Sequence, residues 1–169
     1  VGLLAVPLGK SQLHEIALYH EPFWVLVRND SPVARKKQIS HKDLDPQSIW
    51  LLTEGHCLRE QVLDICAFKK TKNTKSFTFE SGSLETLKNI IESYGGYTLV
   101  PQLATSNYGK NCRLLPFERP IPARMVGLVH RRKEHKAPLI EKLSEAILDS
   151  IPGDIRNLRQ KHLDVIPVE

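Results

Sequence analysis

Apolar and polar positions along this chain follow two alternating regimes. Val1–Val6, Phe23–Arg28, Ser48–Leu52, Thr98–Val100 and Met125–His130 are short runs rich in aliphatic, β-branched or aromatic residues and read as strands, with Arg113–Phe117 a weaker one. Three longer stretches carry helical spacing. In Cys57–Phe68, Leu58, Val62, Leu63 and Ile65 form an apolar stripe beside polar Glu60, Gln61 and Asp64. Leu84–Tyr94 follows Ser83, a natural N-cap, and runs into Gly95-Gly96, a natural stop. Leu139–Ile151 puts Leu139, Ile140, Leu143, Ala146, Ile147 and Ile151 on one face and stops at Pro152-Gly153. A short turn is expected at Ser40–Leu44. Strands alternating with helices predict an α/β fold with a mainly parallel sheet. The tail Asp154–Glu169 has Ile155, Leu158 and Leu163 at near-helical spacing. It is expected to dock on the body, to mediate oligomer contacts or to be disordered.

Composition narrows the class. A chain of 169 residues can bury one or two modest cores. Hydrophobic content of 41% and charged content of 25% are those of a folded globule. No apolar run approaches the roughly 18–20 residues of a membrane span, so no membrane partner is expected. No signal peptide is evident at this N-terminus. Three cysteines do not make a secreted disulfide framework and fit a cytoplasmic protein whose thiols cycle between redox states. The net charge of +5 could meet nucleic acid, but the positives are scattered over Arg35–Lys37, Lys69–Lys72 and Arg131–Lys133 and read as solvated loops and helix ends.

The chemistry concentrates in Gly55-His-Cys-Leu-Arg-Glu-Gln-Val-Leu-Asp-Ile-Cys66. Cys57 stands at the start of the expected helix, between His56 and Arg59, where unpaired backbone N–H groups and the macrodipole favour a thiolate. A thiolate so placed can attack a peroxide and become a sulfenic acid, and a second thiol can resolve it to a disulfide. Cys66 is the candidate resolver. In one continuous helix the two residues are about 13.5 Å apart along the axis, at about 1.5 Å per residue. A disulfide needs Cα atoms about 5.5–6 Å apart. Bonding would therefore unwind the helix, as a switch and not a staple. Two other readings stay open here: buried cysteines acting as small hydrophobes, and a zinc site using His56, Cys57, Cys66 and a distant histidine, for which the spacing is long. Cys112 reads as a buried bystander. His14, His20, His41, His130, His135 and His162 lack ligand spacing and read as surface or hydrogen-bonding residues, and Trp24 and Trp50 read as core.

These residues resemble the regulatory domain of the peroxide-sensing OxyR branch of the LysR-type transcriptional regulators. The family pattern is close to G-H-C-L-R-D-Q with a second cysteine nine residues after the first. Gly55, His56, Cys57, Leu58, Arg59, Gln61 and Cys66 match it, and the likeness continues through Ser83–Ala104 and Arg124–His130. The resemblance implies a peroxidatic Cys57, a resolving Cys66 and a Cys57–Cys66 disulfide in the oxidised form. It implies a pocket of Gly55, His56, Leu58, Arg59, Glu60, Thr78, Phe79 and Arg124. Glu60 departs from the family's usual Asp and lengthens the arm. Thr78 stands where a well-known form has His.

The resemblance further implies a LysR-type effector domain with two Rossmann-like subdomains, similar to periplasmic binding proteins. Residues 1–19 and 126–169 would belong to the first, which would be incomplete, and 20–125 to the second, with crossings near His20-Glu-Pro22 and Arg124. A winged helix-turn-helix would precede Val1 and carry DNA binding, as would threonine-bearing segments that help hold peroxide. The implied partners are hydrogen peroxide, a second copy in a homodimer or tetramer, DNA, RNA polymerase and a thiol reductant such as glutaredoxin. No cofactor and no metal are implied. The expected function is a peroxide-sensing regulatory domain and not an enzyme. The alternatives are a small-molecule effector domain with incidental cysteines, and a thiol peroxidase.

Overall fold

In the computed structural model, residues 1–53, 57–66, 81–132 and 136–168 are described. The framework is a sheet built on one long strand. Strand β1 (Gly2–Val6) pairs antiparallel with β5 (Ile121–Arg131), and β5 pairs antiparallel with β2 (Leu13–Arg28). β2 keeps β5 as its partner from Leu13 to Pro22. From Phe23 onward it pairs with β3 (Tyr97–Pro101), and from Trp24 with β4 (Cys112–Pro116). Prolines mark this change of partners: Pro22 is the last β2 residue in register with β5, and Pro101 and Pro116 sit where β3 and β4 meet Phe23 and Trp24. Proline has no N–H to give a ladder, so it is suited to the point where a ladder ends.

The second half of β2 reads Phe23-Trp-Val-Leu-Val27 because both its faces are covered. Successive side chains of a strand point to opposite faces. Phe23, Val25 and Val27 join one core with Leu99, Tyr97, Leu115 and Phe117, roofed by Val62, Ile65 and Cys66 of the α1 segment (helix α1, Cys57–Ile65). Leu26 and the partly buried Trp24 join the other, with Val100, Trp50 and Cys112, against Leu87 and Ile91 of α2 (Leu84–Tyr94). The two tryptophans and Cys112 are thus core residues. α2 stops at Gly95 and Gly96, with φ of 80° and 79°. A Cβ on Gly96 would lie 2.6 Å from both Ser48 O and Trp50 Nε1, so only glycine fits there. Ser83 holds the N-cap position of α2 without a side-chain cap bond.

A third cluster packs Tyr19 and Val126 under α3 (Ala137–Ser150) and α4 (Gly153–Arg156), through Ile147, Ile151 and Ile155. The stripe expected on α3 divides: Ile140 is buried, whereas Leu139 and Leu143 are 61% and 40% exposed. Ile140, Ile147 and Ile151 share one helical face, and Leu139 is turned about 100° from Ile140. The tail is docked: β6 (Leu163–Val165) pairs in parallel with Ile121–Ala123, and Ile166 donates its N–H to Ala123 O and is buried.

Two expectations are corrected. Among the described residues, every pairing among β1 to β5 is antiparallel, and parallel pairing is limited to β5–β6 and the isolated bridges Ile39–Phe117, Ile49–Tyr97 and Leu52–Ser81. The long strands β2 and β5 run in opposite directions, which periodicity alone does not reveal. Ser48–Leu52 is accordingly not a full strand; it touches its neighbours at single bridges.

Candidate functional site

α1 spans Cys57–Ile65, and Cys66 closes it by donating its N–H to Val62 O at 3.0 Å. The expected extension to Phe68 lies outside the described residues. Nine residues of helix are about 2.5 turns, so Cys57 and Cys66 face opposite sides. The environments agree: Cys57 is exposed, Cys66 is 4% exposed, and both are free thiols. The predicted axial separation of about 13.5 Å therefore applies. It also rules out a single zinc ion held by both sulfurs, since each would have to lie within about 2.3 Å of the metal. No group of three or more His, Cys, Asp or Glu able to hold a metal occurs among the described residues.

The first turn of α1 carries Glu60, whose carboxylate suits the positive end of the helix. Arg59 donates from Nη1 to Leu52 O at 2.7 Å and so ties this turn to the segment before the helix. Leu58 is half-buried and packs against both cores flanking the sheet. The space between α1, Leu84 and β3 is about 10 Å³, room for no more than one water. Inside the helix, Gln61 is 1% exposed, and among the described residues neither its Nε2 nor its Oε1 has a hydrogen-bond partner.

At the other end of α1, burial pushes the Cys66 thiol up to about 12, with the neighbouring Tyr97 phenol working against that. The Tyr97 phenol is itself raised, first by burial and then by Cys66 and Asp45. Its hydroxyl donates to Asp45 O at 3.1 Å. Cys57 and Cys66 therefore differ sharply in access.

Arg124 sits where the strands change partners. It is directly opposite Glu21 in the β2–β5 register. Its Nε and Nη2 both donate to Glu21 Oε2, at 2.9 and 2.7 Å, and the Leu103 N–H donates to Oε1 at 2.9 Å. Glu21 is only 2% exposed, so its charge is compensated within the protein. Gly55, His56, Thr78 and Phe79 lie outside the described residues.

Three contacts escaped the sequence reading: Glu21 on Arg124, Tyr97 beside Cys66, and His41 on the last carbonyl of α1. Each joins residues far apart in the chain. A glutamate two residues before the apolar run Phe23–Val27 was the one signal available.

The model of the LysR substrate binding domain matches residues 1–152. The chain belongs to this family. Solved structures to which it is similar include OxyR regulatory domains. The reduced OxyR regulatory domain of Pseudomonas aeruginosa is 32% identical with a TM-score of 0.75, over 86% of this chain and 70% of that one. OxyR from Porphyromonas gingivalis is 27% identical with a TM-score of 0.81, over 97% of this chain and 74% of that one. Among curated proteins, the DNA-binding transcriptional dual regulator OxyR of Escherichia coli is 32% identical over 153 residues, 89% of this chain and 50% of that protein. The chain spans about half the length of the curated relatives it matches. This LysR-type domain is thus an OxyR regulatory domain by family. No helix among its described residues is long and apolar enough to cross a membrane.

Proposed function

We propose that this domain senses hydrogen peroxide for a transcription regulator through Cys57 and Cys66. The observation that carries the reading is one helix with an exposed thiol at its first residue and a buried thiol just past its last, on opposite faces. The Cys57 thiolate attacks the peroxide O–O bond, keeping one oxygen as the sulfenic acid and releasing the other as water after protonation. The Cys66 thiolate then attacks the Cys57 sulfur. An S–S bond forms, the S–O bond breaks, and the hydroxide leaves as a second water. Two electrons pass from the thiols to the peroxide. A separate dithiol reductant of the glutaredoxin class returns both cysteines to thiols, so the domain acts once per stimulus and not as a turnover enzyme.

Closing the bond unwinds α1, because its ends are too far apart and face opposite ways. Val62, Ile65 and Cys66 then leave the core they roof. We take residues 20–125 as the subdomain that rearranges, with 1–19 and 126–169 as the other, and the change as one that resets the packing of a homodimer or tetramer in the cytoplasm. DNA and RNA polymerase are partners of the whole regulator. In the pocket, His56, Arg59 and Arg124 supply positive charge to the Cys57 thiolate, and Gly55, Leu58, Glu60, Thr78 and Phe79 shape it. Glu21 positions Arg124.

Peptide-mapped mass spectrometry tests this after about one equivalent of hydrogen peroxide, with free thiols alkylated. A loss of two hydrogens localised to a Cys57–Cys66 crosslink is expected. Cys57→Ser abolishes it, and Cys66→Ser leaves a sulfenic acid that lingers or over-oxidises. If all three thiols stay alkylatable, the redox reading fails and a small-molecule effector role takes its place.

A further inference from the structure

α1 is held at its C-terminal end by two side chains from outside the helix. A helix end leaves its last carbonyls unpaired at the negative pole of the macrodipole. At Ile65 that carbonyl is met by His41, whose Nδ1 lies 2.6 Å away. A carbonyl only accepts, so Nδ1 carries the hydrogen. His41 is itself fixed. It opens the 3₁₀ turn His41–Asp43, in which Asp43 Oδ2 accepts from Ser40 N and Oγ at 2.9 and 3.0 Å. Lys36 Nζ donates to Asp43 Oδ1 at 2.6 Å, and the imidazole rests on Phe117 with ring centroids 5.5 Å apart. One residue beyond Ile65, the Cys66 side chain is buried in the same core as Tyr97, with its thiol beside the Tyr97 phenol. Tyr97 opens β3, is 4% exposed, and is anchored by its own bond to Asp45 O. Neither partner belongs to α1, and neither has to move with it.

We infer that His41 and Tyr97 form a latch on the C-terminal end of α1 that retains Cys66 in the core and sets how fast it reaches oxidised Cys57. The inference rests on the redox reading above and adds two positioning residues to it. The bond-making steps are unchanged; the latch governs only access. Both contacts must break before the Cys66 sulfur can approach Cys57, so weakening either speeds the condensation.

The test uses the reduced 169-residue chain and iodoacetamide, with alkylation of each cysteine followed by peptide mapping. His41→Phe keeps a ring beside Phe117 and removes the donor. Tyr97→Phe keeps the ring and removes the hydroxyl. Each is expected to raise the Cys66 alkylation rate about three- to tenfold, the factor that one typical hydrogen bond supplies. Cys112, buried in the other core, is expected to keep its rate, and His41→Gln, which retains a donor, to restore the slow rate at Cys66. On addition of peroxide, the Cys57–Cys66 crosslink should form faster in both Phe variants while first oxidation of Cys57 is unchanged. Equal acceleration at Cys66 and Cys112 would mean that the variants merely loosen the fold, and would overturn the latch. A crosslink that forms at the same rate in all proteins would also overturn it and leave the redox reading standing. No crosslink in any of them, with Cys57 still alkylatable, would remove the redox reading and the gating role with it.

Discussion

Gln61→Leu is expected to stabilise the reduced protein. Gln61 is 1% exposed inside α1, and among the described residues both its amide atoms lack partners. Leaving a buried polar group unpaired costs about 1–3 kcal/mol. Leucine is close in volume and at least as good a helix former, so the substitution removes that cost without a propensity loss. Imperfect shape would take back less than about 1.5 kcal/mol. With two unpaired amide atoms the gross cost is about 3 kcal/mol, so the net gain is about 2 kcal/mol. Urea unfolding under reductant is the assay. A slope of about 2–3 kcal/mol/M puts the midpoint about 0.7–1 M higher with the slope unchanged. By heat, the gain is about 4–8 °C for a chain of this size. The same variant ties stability to the switch. If α1 is unwound in the transition state for condensation, about 2 kcal/mol of extra helix stability slows Cys57–Cys66 closure by up to about thirtyfold. An unchanged or lowered midpoint refutes the reasoning: it would mean that the amide is satisfied in solution and that its burial carries no penalty.

Two further outcomes follow from other buried groups. Glu21→Gln leaves Arg124 facing a neutral amide. Because Arg124 keeps 24% side-chain exposure, the loss should fall below the full cost of a broken buried pair, at about 2–3 kcal/mol, read as a lower urea midpoint; a change under about 0.5 kcal/mol would show the pair to be idle. The Cys66 thiol, pushed up from 9.0 to about 12, holds its proton more tightly folded than unfolded. Its contribution is therefore complete below pH 9 and fades as pH rises toward 12, by about 1 kcal/mol at pH 10. In Cys66→Ala this part of the alkaline decline should vanish, so the stability gap between the two proteins narrows from pH 8 to 10; a constant gap would contradict the burial argument.

Much of the scaffold was legible because its signals are local. The apolar stripe of Cys57–Ile65 and the Ser83 to Gly95-Gly96 frame of α2 are written within about three turns of helix, and both helices appear where expected. β2 was only half legible. Its first half, Leu13–Pro22, has a register shift between Ala17 and Tyr19 that breaks period-two alternation, and many of its side chains are only partly covered. Sheet direction was misread because periodicity reports which face of a strand is buried and not which way its neighbour runs.

The candidate site divides along the same line. By itself the sequence determined that a cysteine opens a helix, that a second lies nine positions on, and that a helix keeps them apart, since all three follow from residue order and a fixed rise per residue. Only the tertiary structure decided which thiol is buried, that Glu21 meets Arg124 across 103 positions, and that His41 meets the last carbonyl of α1. The physical reason is range. Helical spacing is set by backbone bonds four residues apart, whereas burial and cross-strand contact depend on sheet pairing that no local pattern encodes.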